Sequence, residues 1–520
     1  MDEHSRRNMR TVAFTGVTVI PMDSERLLRS HTVIVEGGRI ASIGPADTAE
    51  IPANAAVIDG NDAFLLPGLA NMHAHLMEFD TDPRHLALYL AAGVCTVRSL
   101  NSRREIFEWR KKTADSDWAG PTIIMSGPVI VGFPREYRLL ALGLRTAVAL
   151  AVLLGSALLL GVVLIGLRLY GAQSLAAEFA QQWAVPWLVL SIFTAIVVVW
   201  KKLIPLSSLA ARFVPNAAVV ETPAQARSEV RRQVKAGVDF VKPYDHLDRE
   251  TYFATLHTAR QEGIYSAGHI LDDPEIVGVR EALEAGLNEV AHVDEFTHEF
   301  LVNYDPGSRN WVEWELATDR VDEIASLVAE YDAAVTATLV TGETVLLGLE
   351  NMEALLRRPE YAHIKAESID KWKSGGRIVR WKGQDKYRRD HLRPLWMRLT
   401  IALHRAGVPI LVGTDSSVEG IVPGFSEHRE LQLLVEAGMS PFEALSAATR
   451  NPAMIAKRMN ADSSWGTIEV GNRADLVLLS RNPLDDINNS KHILGVMVRG
   501  RWFSRDDLDQ RVTEYRGIRL

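Results

Sequence analysis

Several apolar, β-prone stretches of this chain end in a side chain that can bind a metal ion, and this pattern constrains the fold more than any other feature. The clearest stretch reads PGLANMHAH, follows an apolar run at 63–66 and carries His73 and His75. Side chains alternate along a strand, so two histidines separated by one residue point to the same side. Because imidazole is the commonest metal-binding side chain, the two histidines predict half of a site for Zn²⁺ or a similar ion.

Four later stretches end in the same way, each at the close of a predicted strand. They are DFVKPY with Lys242, IYSAGH with His269, EVAH with His292 and PILVGTD with Asp415. An H-x-H triplet by itself is weak support in a chain with 15 histidines. The ordered set favours one shared metal site, and the alternative is a series of unrelated polar residues at the surface and in the core.

The order of strands and helices predicts the α/β class. From Phe64 onward, β-prone runs alternate with helix-like stretches, which is the pattern of βα units around a parallel sheet. Strands are predicted near 65–73, 94–99, 122–127, 239–243, 264–269, 289–293, 334–340 and 409–414. Their number supports a closed (β/α)₈ TIM barrel, whose catalytic groups lie at the strand C-termini. Short β-prone segments near both chain ends predict a small β-sandwich at 1–62 and 464–520, beside a barrel domain at 63–463.

The same stretches, with others, resemble the amidohydrolase superfamily, and in particular its imidazolonepropionase-like and Xaa-Pro-dipeptidase-like branch. The resemblance extends over nearly the whole chain except about residues 135–215. The matching motifs are PGLANMHAH, GVCTVRSL, DFVKPYDHL, GHI, AHVDEF, VGTDS, ELQLLVEAGMSPFEALSAATRNPA and GTIEVGNRADLVLLSRNP. The resemblance implies a TIM barrel beside a small β-sandwich, and hydrolysis of an amide or related C–N bond by hydroxide generated at a metal.

The resemblance also implies two divalent metal ions, with zinc as the expected metal. The implied ligands are His73, His75, Lys242, His269, His292 and Asp415. The first two histidines would bind one ion and the other two the second, with Asp415 as both ligand and proton acceptor. Lys242 would bridge the ions as a carbamate formed with CO₂, because a free ammonium group would repel the cations. The alternative is a plain salt-bridging lysine beside a single metal.

Two features depart from the pattern of the related enzymes. The strand-two motif usually ends Arg-Asp, whereas here Arg98 is followed by Ser99. The polar loop after strand three is replaced by Gly132-Phe133-Pro134. Both changes make ordinary dipeptides or imidazolonepropionate less expected as substrates. Tyr244, two residues past Lys242, is a candidate substrate contact, with a packing role as the alternative.

Two long uncharged runs interrupt the barrel pattern after the predicted third strand. Residues 146–167 read TAVALAVLLGSALLLGVVLIGL, and residues 179–200 read FAQQWAVPWLVLSIFTAIVVVW. Each has about 22 residues, enough at about 1.5 Å per residue to cross a hydrocarbon core about 30 Å thick. We therefore predict a transmembrane helical hairpin at 139–204, with buried core helices or an apolar dimer arm as the alternative.

Charges beside these runs predict an orientation in the membrane. Basic residues precede the first run and follow the second, namely Arg135, Arg138, Arg145, Lys201, Lys202 and Arg212. The positive-inside tendency then places the catalytic domain on the cytoplasmic side of an inner or plasma membrane. Membrane lipid would be a partner, and the hairpin would either admit an amphiphilic substrate or only anchor the enzyme.

A second insertion, at about 345–395, is rich in basic residues. They are Arg357, Arg358, Lys365, Lys371, Lys373, Arg377, Arg380, Lys382, Lys386, Arg388, Arg389 and Arg393. With Trp372 and Trp381 among them, they could contact anionic lipid headgroups. A solvated helical lid explains the same charges equally well. No nucleic-acid recognition motif accompanies them.

Composition limits the remaining classes of function. A net charge of −8 gives no global attraction for nucleic acid. The single Cys95 excludes an internal disulfide, and residues 1–10 contain no signal peptide. We therefore predict a membrane-anchored, metal-dependent amidohydrolase with a small-molecule substrate. The alternatives are a lactone, ester or phosphotriester hydrolase on the same site, or a non-catalytic membrane sensor; a homo-oligomer stays open.

Overall fold

The computed structural model describes residues 11–516, apart from 116–117, 133–134, 172–173, 175–176, 180–181, 184–185, 188, 194–215, 272–275, 303–313, 374–377, 379–380 and 417. The chain divides into two compact units. The larger unit comprises Met1–Ile130 and Thr222–Leu520, and the smaller one is Val131–Glu221.

The bounds of the elements in the described residues are as follows. The strands are β1 (Val12–Val19), β2 (Leu28–Glu36), β3 (Arg39–Pro45), β4 (Ala56–Asp59), β5 (Phe64–Pro67), β6 (Leu69–Ala74), β7 (Val94–Ser99), β8 (Thr122–Met125), β9 (Ile130–Val131), β10 (Ala218–Val219), β11 (Phe240–Val241), β12 (Tyr265–Gly268), β13 (Glu289–Val290), β14 (Ala334–Thr336), β15 (Ile410–Leu411), β16 (Leu476–Leu479), β17 (Ile493–Val498) and β18 (Arg501–Ser504). The α-helices are α1 (Leu76–Phe79), α2 (Leu86–Ala91), α3 (Arg104–Ala114), α4 (Arg135–Leu169), α5 (Pro223–Ala236), α6 (Arg249–Gln261), α7 (Val279–Ala285), α8 (Val321–Glu330), α9 (Leu339–Leu355), α10 (Ala366–Lys373), α11 (Asp385–Tyr387), α12 (Arg393–Arg405), α13 (Phe425–Ala437), α14 (Pro441–Ala448), α15 (Arg450–Arg458) and α16 (Arg505–Arg516).

Strands from both ends of the chain form one mixed sheet. Its order is β18-β17-β16-β5-β1-β2-β3, and β4 pairs with β1. Alternate apolar side chains of these strands are buried in one cluster, which includes Phe14, Val17, Leu476 and Met497. Trp502 packs the edge of its ring against Phe14, with 5.2 Å between the ring centroids. The division into domains at residues 62 and 464 stays a prediction.

Parallel strands form the second part of the larger unit. One sheet has the order β6-β7-β8, and a five-stranded sheet has the order β11-β12-β13-β14-β15. Neighbouring edges of the two sheets are joined by isolated contacts, since Ser126 bridges Phe240 in parallel and Met72 N donates to Val412 O at 2.8 Å. The described ladders thus give the α/β alternation that was predicted, but not one continuous closed sheet.

The first predicted barrel strand, 65–73, is divided in two at Gly68. Residues before this point belong to the mixed sheet as β5, and residues after it begin β6. Gly68 N donates to Asp475 O at 2.8 Å, while Leu69 N donates to Gly93 O at 2.9 Å. A Cβ on Gly68 would lie 2.4 Å from Cys95 Sγ, so only glycine allows the backbone to pass this close. Cys95 is buried and packs against Gly68.

The structure corrects the predicted transmembrane hairpin at 139–204. The first apolar run is part of one longer helix, α4, which begins in a charged stretch of sequence and has Arg168 in its last turn. Among the described residues, no helix is both long and apolar enough to cross a membrane. Much of the second run, 179–200, lies outside those residues. The prediction of a membrane localisation with a cytoplasmic catalytic domain is therefore wrong, and the expected lipid partner loses its basis.

Candidate metal centre

The predicted ligands come from the C-terminal ends of parallel strands. His73 lies in β6 and His75 directly follows it, while Lys242 directly follows β11 and His269 directly follows β12. His292 comes two residues after β13. Because the strands are parallel and neighbouring, their C-terminal ends meet at one edge. Asp415 joins them four residues after β15.

Direct contacts connect all six of these side chains. His73 Nε2 lies 3.3 Å from Lys242 Nζ and 3.7 Å from Asp415 Oδ1, and His75 Nε2 lies 3.1 Å from the same oxygen. The ring centroids of His73 and His292 are 4.2 Å apart, and those of His269 and His292 are 5.1 Å apart. The structure therefore brings together every ligand that the sequence predicted.

The Nδ1 atom of each histidine has a partner in the protein. The pairs are His73 with Ala291 O at 3.0 Å, His75 with Glu78 Oε1 at 3.1 Å, His269 with Asp245 Oδ1 at 2.8 Å and His292 with Thr338 Oγ1 at 2.8 Å. A second carboxylate, Glu295, lies 3.2 Å from His269 Nδ1. Such partners fix the ring and its tautomer, which leaves Nε2 as the nitrogen available to a metal.

Burial keeps most of these imidazoles neutral. It lowers the pKa of His292 to about 3, and it lowers the pKa of His73 and His269 well below the usual value. Burial has the same tendency at His75, but Glu78 and Asp415 outweigh it and raise the pKa of that ring. Neutral imidazole is the form that binds a metal, so three rings are already in the binding state at neutral pH.

Asp415 is held as an anion in an unusual backbone conformation. Burial alone would raise the pKa of its carboxyl group, but the hydrogen bond from His75 and the charge of that ring hold the pKa well below its usual range. Its φ is +49°, in the left-handed region that residues other than glycine rarely adopt. Its backbone N–H donates to His73 O at 2.8 Å. Backbone strain of this kind is concentrated at functional sites.

Lys242 is fully enclosed beside this carboxylate. Its side chain is 1% exposed, and burial lowers the pKa of its amine to about 8, against the opposing charges of Asp415, Glu78, Asp245 and Glu295. Its Nζ lies 5.0 Å from the centroid of the Tyr244 ring, which itself packs 4.2 Å from the His269 ring. Tyr244 therefore borders the centre, and its contact with a substrate stays a prediction.

Buried polar groups hold the backbone of the H-x-H motif. Asn71 Oδ1 accepts a hydrogen bond from His73 N at 2.9 Å, and Asn71 Nδ2 donates to Glu427 Oε1 at 2.6 Å and to Thr414 Oγ1 at 2.8 Å. Burial raises the pKa of Glu427 to about 7. The motif is thus fixed to the end of β15 and to α13 as well as to its own strand.

Arg98 has a buried acidic partner, Glu289 of β13. Its guanidinium forms a fully buried, two-pronged ion pair with Glu289 and donates from Nε to Met72 O at 2.6 Å. Ser99, the departure noted in the sequence, accepts from Ser102 Oγ at 3.0 Å. These contacts lie beside the ligand-bearing strands and connect β7 with β13.

The sequence prediction missed the carboxylates around the histidines, although their spacing offered a signal. Glu78, Asp245 and Glu295 each come three residues after a predicted ligand. Each also contacts a histidine Nδ1 in the folded chain. A residue three positions after a strand end lies in the loop just beyond that end. An acidic side chain at this offset can therefore turn back and reach the histidine rings. Thr338 and Glu427 have no such signal.

The atoms of this centre fit a divalent ion. One ligand atom each of His73, His75 and Asp415 lies within 4.8 Å of the other two, which suits an ion bonded to each at about 2.0–2.2 Å. The Nε2 atom of His269 is buried and has no hydrogen-bond partner, as expected of a nitrogen reserved for a metal. The donor set of imidazoles and a carboxylate is one that binds zinc-like ions.

Comparison with known proteins identifies the family of this chain. The sequence model of the Amidohydrolase family matches residues 157–503. The chain belongs to the amidohydrolase family. This match confirms the predicted superfamily and the predicted class of enzyme, a hydrolase of the amidohydrolase type.

Individual relatives of this amidohydrolase are similar over different lengths. Ochratoxinase of Aspergillus niger is 42% identical over 84 residues, a stretch that spans only 16% of this chain and 16% of that relative. A candidate prolidase from Bifidobacterium longum has a solved structure with a TM-score of 0.62, 23% identity and coverage of 97% of this chain and 99% of its own. A Xaa-Pro dipeptidase with bound methionine has a TM-score of 0.60 at 18% identity, with 95% and 100% covered. These structures show a shared fold.

Proposed function

We propose that this amidohydrolase is a metal-dependent hydrolase that cleaves an amide or related C–N bond in a small molecule. The observation that carries the proposal is the set of four histidines with protein-bound Nδ1 atoms, gathered around Lys242 and Asp415. Its similarity to ochratoxinase and to prolidase-type structures supports the Xaa-Pro-dipeptidase-like branch. A closed (β/α)₈ barrel is part of the proposal, supported by the contacts at Ser126–Phe240 and Met72–Val412.

Two divalent ions, with zinc as the proposed metal, would be held by the six ligands. His73, His75 and Asp415 would hold one, and His269 and His292 the other. When bound, such ions lower the pKa of a coordinated water from about 15.7 to about 7 and polarise the oxygen under attack. The buried imidazoles contribute by being neutral before binding, so few protons have to leave.

Asp415 is proposed to move the proton. Its carboxylate is an anion at neutral pH and accepts a proton from the attacking water. Once protonated, it donates to the leaving nitrogen, which breaks the C–N bond as a neutral amine departs. The hydrogen bond from the backbone N–H of Asp415 to His73 O keeps this residue in place for both steps.

Lys242 is proposed to act as a carbamate that bridges the ions. Carbamate formation needs the neutral amine, whose nitrogen bonds to the carbon of CO₂ and releases one proton. A pKa of about 8 makes this form accessible near neutral pH, whereas an exposed lysine is almost wholly protonated there. The product is an anionic oxygen ligand, which suits a centre where an ammonium group would repel cations.

A substrate panel tests the proposal. Zinc-loaded protein would be assayed with N-acyl amino acids, dipeptides, lactones and phosphotriesters. We expect C–N cleavage, reduced about 100-fold or more in His73→Asn because a ligand is lost. His428→Asn is the matched control, since His428 is buried outside the centre and pairs with Ser490 Oγ at 2.9 Å. Turnover of lactones or phosphotriesters without any amide would overturn the choice of bond.

A further inference from the structure

The chain topology places the basic residues just before helix α12 at the same edge as the predicted metal ligands. These residues and the start of α12 are called the basic segment. β14 and β15 are parallel neighbours, so the chain leaves β14 at its C-terminal end and must return to begin β15 at the opposite edge. Helix α12 makes this return and ends just before β15. Its N-terminus and the residues before it therefore lie at the ligand-bearing edge.

Hydrogen bonds attach this segment to the loop that follows His292. That residue is directly followed by a 3₁₀ helix, Val293–Phe300. Trp396 Nε1, in α12, donates to Thr297 Oγ1 in this helix at 2.9 Å. The hydroxyl of Tyr387 donates to Trp314 O at 2.9 Å. The residues between Tyr387 and Trp396 are thus held against the loop that carries a predicted metal ligand.

Arg388 is the residue of this segment whose charge lacks a partner. Its Nε is buried without a hydrogen bond, and within the described part of the chain its guanidinium forms no hydrogen bond or ion pair. The guanidinium lies over the ring of Trp381, with 4.6 Å between its carbon and the ring centroid. Burial lowers its pKa, opposed by the charge of Asp294. Other arginines with a buried Nε, such as Arg499 and Arg505, bond through their remaining nitrogens.

The charge of Asp294 relates Arg388 to the metal centre. Asp294 lies two residues after His292, in the 3₁₀ helix Val293–Phe300 to which Trp396 of α12 is hydrogen-bonded. Arg388 also begins a π-helical turn, Arg388–Leu392. π-Helical turns are rare, and those that do occur are often at functional sites.

An unpaired cation in a partly buried position destabilises a protein unless an anion pairs with it. A guanidinium binds a carboxylate through two parallel hydrogen bonds in one plane. Stacking on Trp381 would keep the Arg388 guanidinium in a fixed orientation for such a pair. The proposed substrate has an amide bond cleaved at this edge. A carboxylate on the same small molecule would meet Arg388 from the side of the metal centre.

We infer that Arg388 binds a carboxylate of the substrate, so that the preferred substrates are N-acyl amino acids or similar amides with a free acid group. This inference rests on the proposed function and adds the substrate class to it. Arg388 is a specificity residue here and takes no part in bond cleavage.

Matched compounds test the inference. N-acetyl-L-leucine, N-acetyl-L-methionine and N-acetyl-L-phenylalanine would each be compared with the same amide lacking the carboxyl group, such as N-(3-methylbutyl)acetamide for leucine. With zinc-loaded protein, we expect Arg388→Gln to lower kcat/KM for the acids by about tenfold or more, mainly through KM. The neutral amides should change less than about twofold, and Arg388→Lys should retain part of the acid preference.

Arg389→Gln is the matched control. Arg389 is the next residue, is exposed, and donates from Nε to Glu350 Oε1 at 2.7 Å. This variant should leave both classes of compound unchanged. An equal loss for acids and neutral amides in Arg388→Gln, or no loss in either, would overturn the inference.

Calorimetric binding separates this inference from the proposed function. If wild-type protein cleaves neither class, the proposed function fails, and binding of the three acids still decides the role of Arg388. Binding that is weakened only in Arg388→Gln supports the carboxylate subsite. Absence of binding to the wild type, or equal binding to both variants, overturns it.

Discussion

Lys242 is the residue whose proposed chemistry departs most from that of an ordinary side chain. Its burial favours the neutral amine, and its Nζ lies 3.3 Å from a histidine nitrogen. We expect the protein to take up labelled bicarbonate and to show a carbamate signal by ¹³C NMR. The signal should be absent from Lys242→Ala, and removal of CO₂ should lower activity until bicarbonate is restored. Full activity in CO₂-free buffer would contradict the bridging role.

Glu427 gives a pH dependence whose sign follows from its pKa. Burial raises that pKa from 4.5 to about 7, so the folded protein binds the proton more tightly than the unfolded chain does. The contribution of Glu427 to stability is therefore fully present below about pH 4.5 and is lost as the pH rises through about 7. Glu427→Gln keeps the shape of the side chain without the titration.

The measurement for Glu427 is urea unfolding of metal-free protein at pH 5, 6.5 and 8. Between pH 5 and pH 8, we expect the free energy of unfolding of the wild type to fall by on the order of 2–3 kcal/mol relative to that of Glu427→Gln. The exposed Glu105→Gln should follow the wild type. Parallel curves for the wild type and Glu427→Gln would show that Glu427 is not protonated in the folded state.

At the scale of single residues, the sequence was sufficient to predict which six side chains meet at one edge, and insufficient for the residues that hold them there. The ligands were predictable because each follows an apolar run, which indicates a strand end. Thr338 was not, because its contact with His292 depends on how two loops 46 positions apart fold over one edge. Arg388 was recognised only as one of many basic residues, since a sequence does not show which charges find partners.

Among the elements, helix α9 begins in a conformation that fixes His292, a predicted metal ligand. Thr338 stands before its first residue with φ of +48°, and its hydroxyl pairs with His292 Nδ1 at 2.8 Å. Glu430 accepts from Val340 N at 2.6 Å and so satisfies the start of the same helix. The helix terminus and the ligand are therefore held by one set of contacts.

Replacement of Thr338 tests this coupling. Thr338→Val keeps the branched shape but removes the partner of His292, and we expect zinc affinity to fall about 10–100-fold. Zinc competition with a chelating dye is the measurement. Thr258→Val is the control, because Thr258 is equally buried and bonds only within α6, to Ala254 O at 2.6 Å. Equal affinities for the two variants would refute the support role of Thr338.

The predicted barrel strands begin within one residue of the observed ones, but the strand predicted at 334–340 is too long because α9 already begins at Leu339. The point where two sheets meet was not predicted. The stretch 65–73 is apolar throughout, so no pattern in it marks the change of sheet at Gly68. The close approach of Cys95 Sγ, which requires glycine there, is a tertiary contact. Only the folded chain could reveal it.

For the molecule as a whole, Arg473 joins the segment before β16 to the parallel strands. Its side chain is buried, with Nη1 2.9 Å from Asp462 Oδ2, Nη2 2.6 Å from Asp475 Oδ2 and Nη2 3.3 Å from Thr96 Oγ1 in β7. Breaking a buried ion pair on one side leaves an uncompensated charge, which costs about 3–5 kcal/mol. We expect Arg473→Met to lower the free energy of unfolding by that amount.

Urea unfolding of metal-free protein checks the effect of Arg473→Met. Arg231→Met is the control, because Arg231 is more than half exposed and its pair with Glu262 should contribute less than about 1 kcal/mol. Similar losses for the two variants would show that Arg473 is not a link between the sheets.

The pairing of both chain ends in one sheet was foreseeable from short β-prone segments at each terminus. The predicted membrane hairpin was not upheld, because the length of an apolar run does not show where the helix containing it begins and ends. In the structure the first run belongs to a helix of 35 residues. The contacts that determine where a helix begins and ends cannot be read from hydropathy alone.

Metal content is the most direct test of the central claim that six separated residues form one hydrolytic metal centre. Protein saturated with Zn²⁺ in the presence of bicarbonate and then dialysed should retain two ions per chain by mass spectrometry of the metal. His73→Asn should retain at most one, and His428→Asn should retain both. A wild-type protein that keeps no zinc, or a His73→Asn variant that keeps as much as the wild type, would contradict the account.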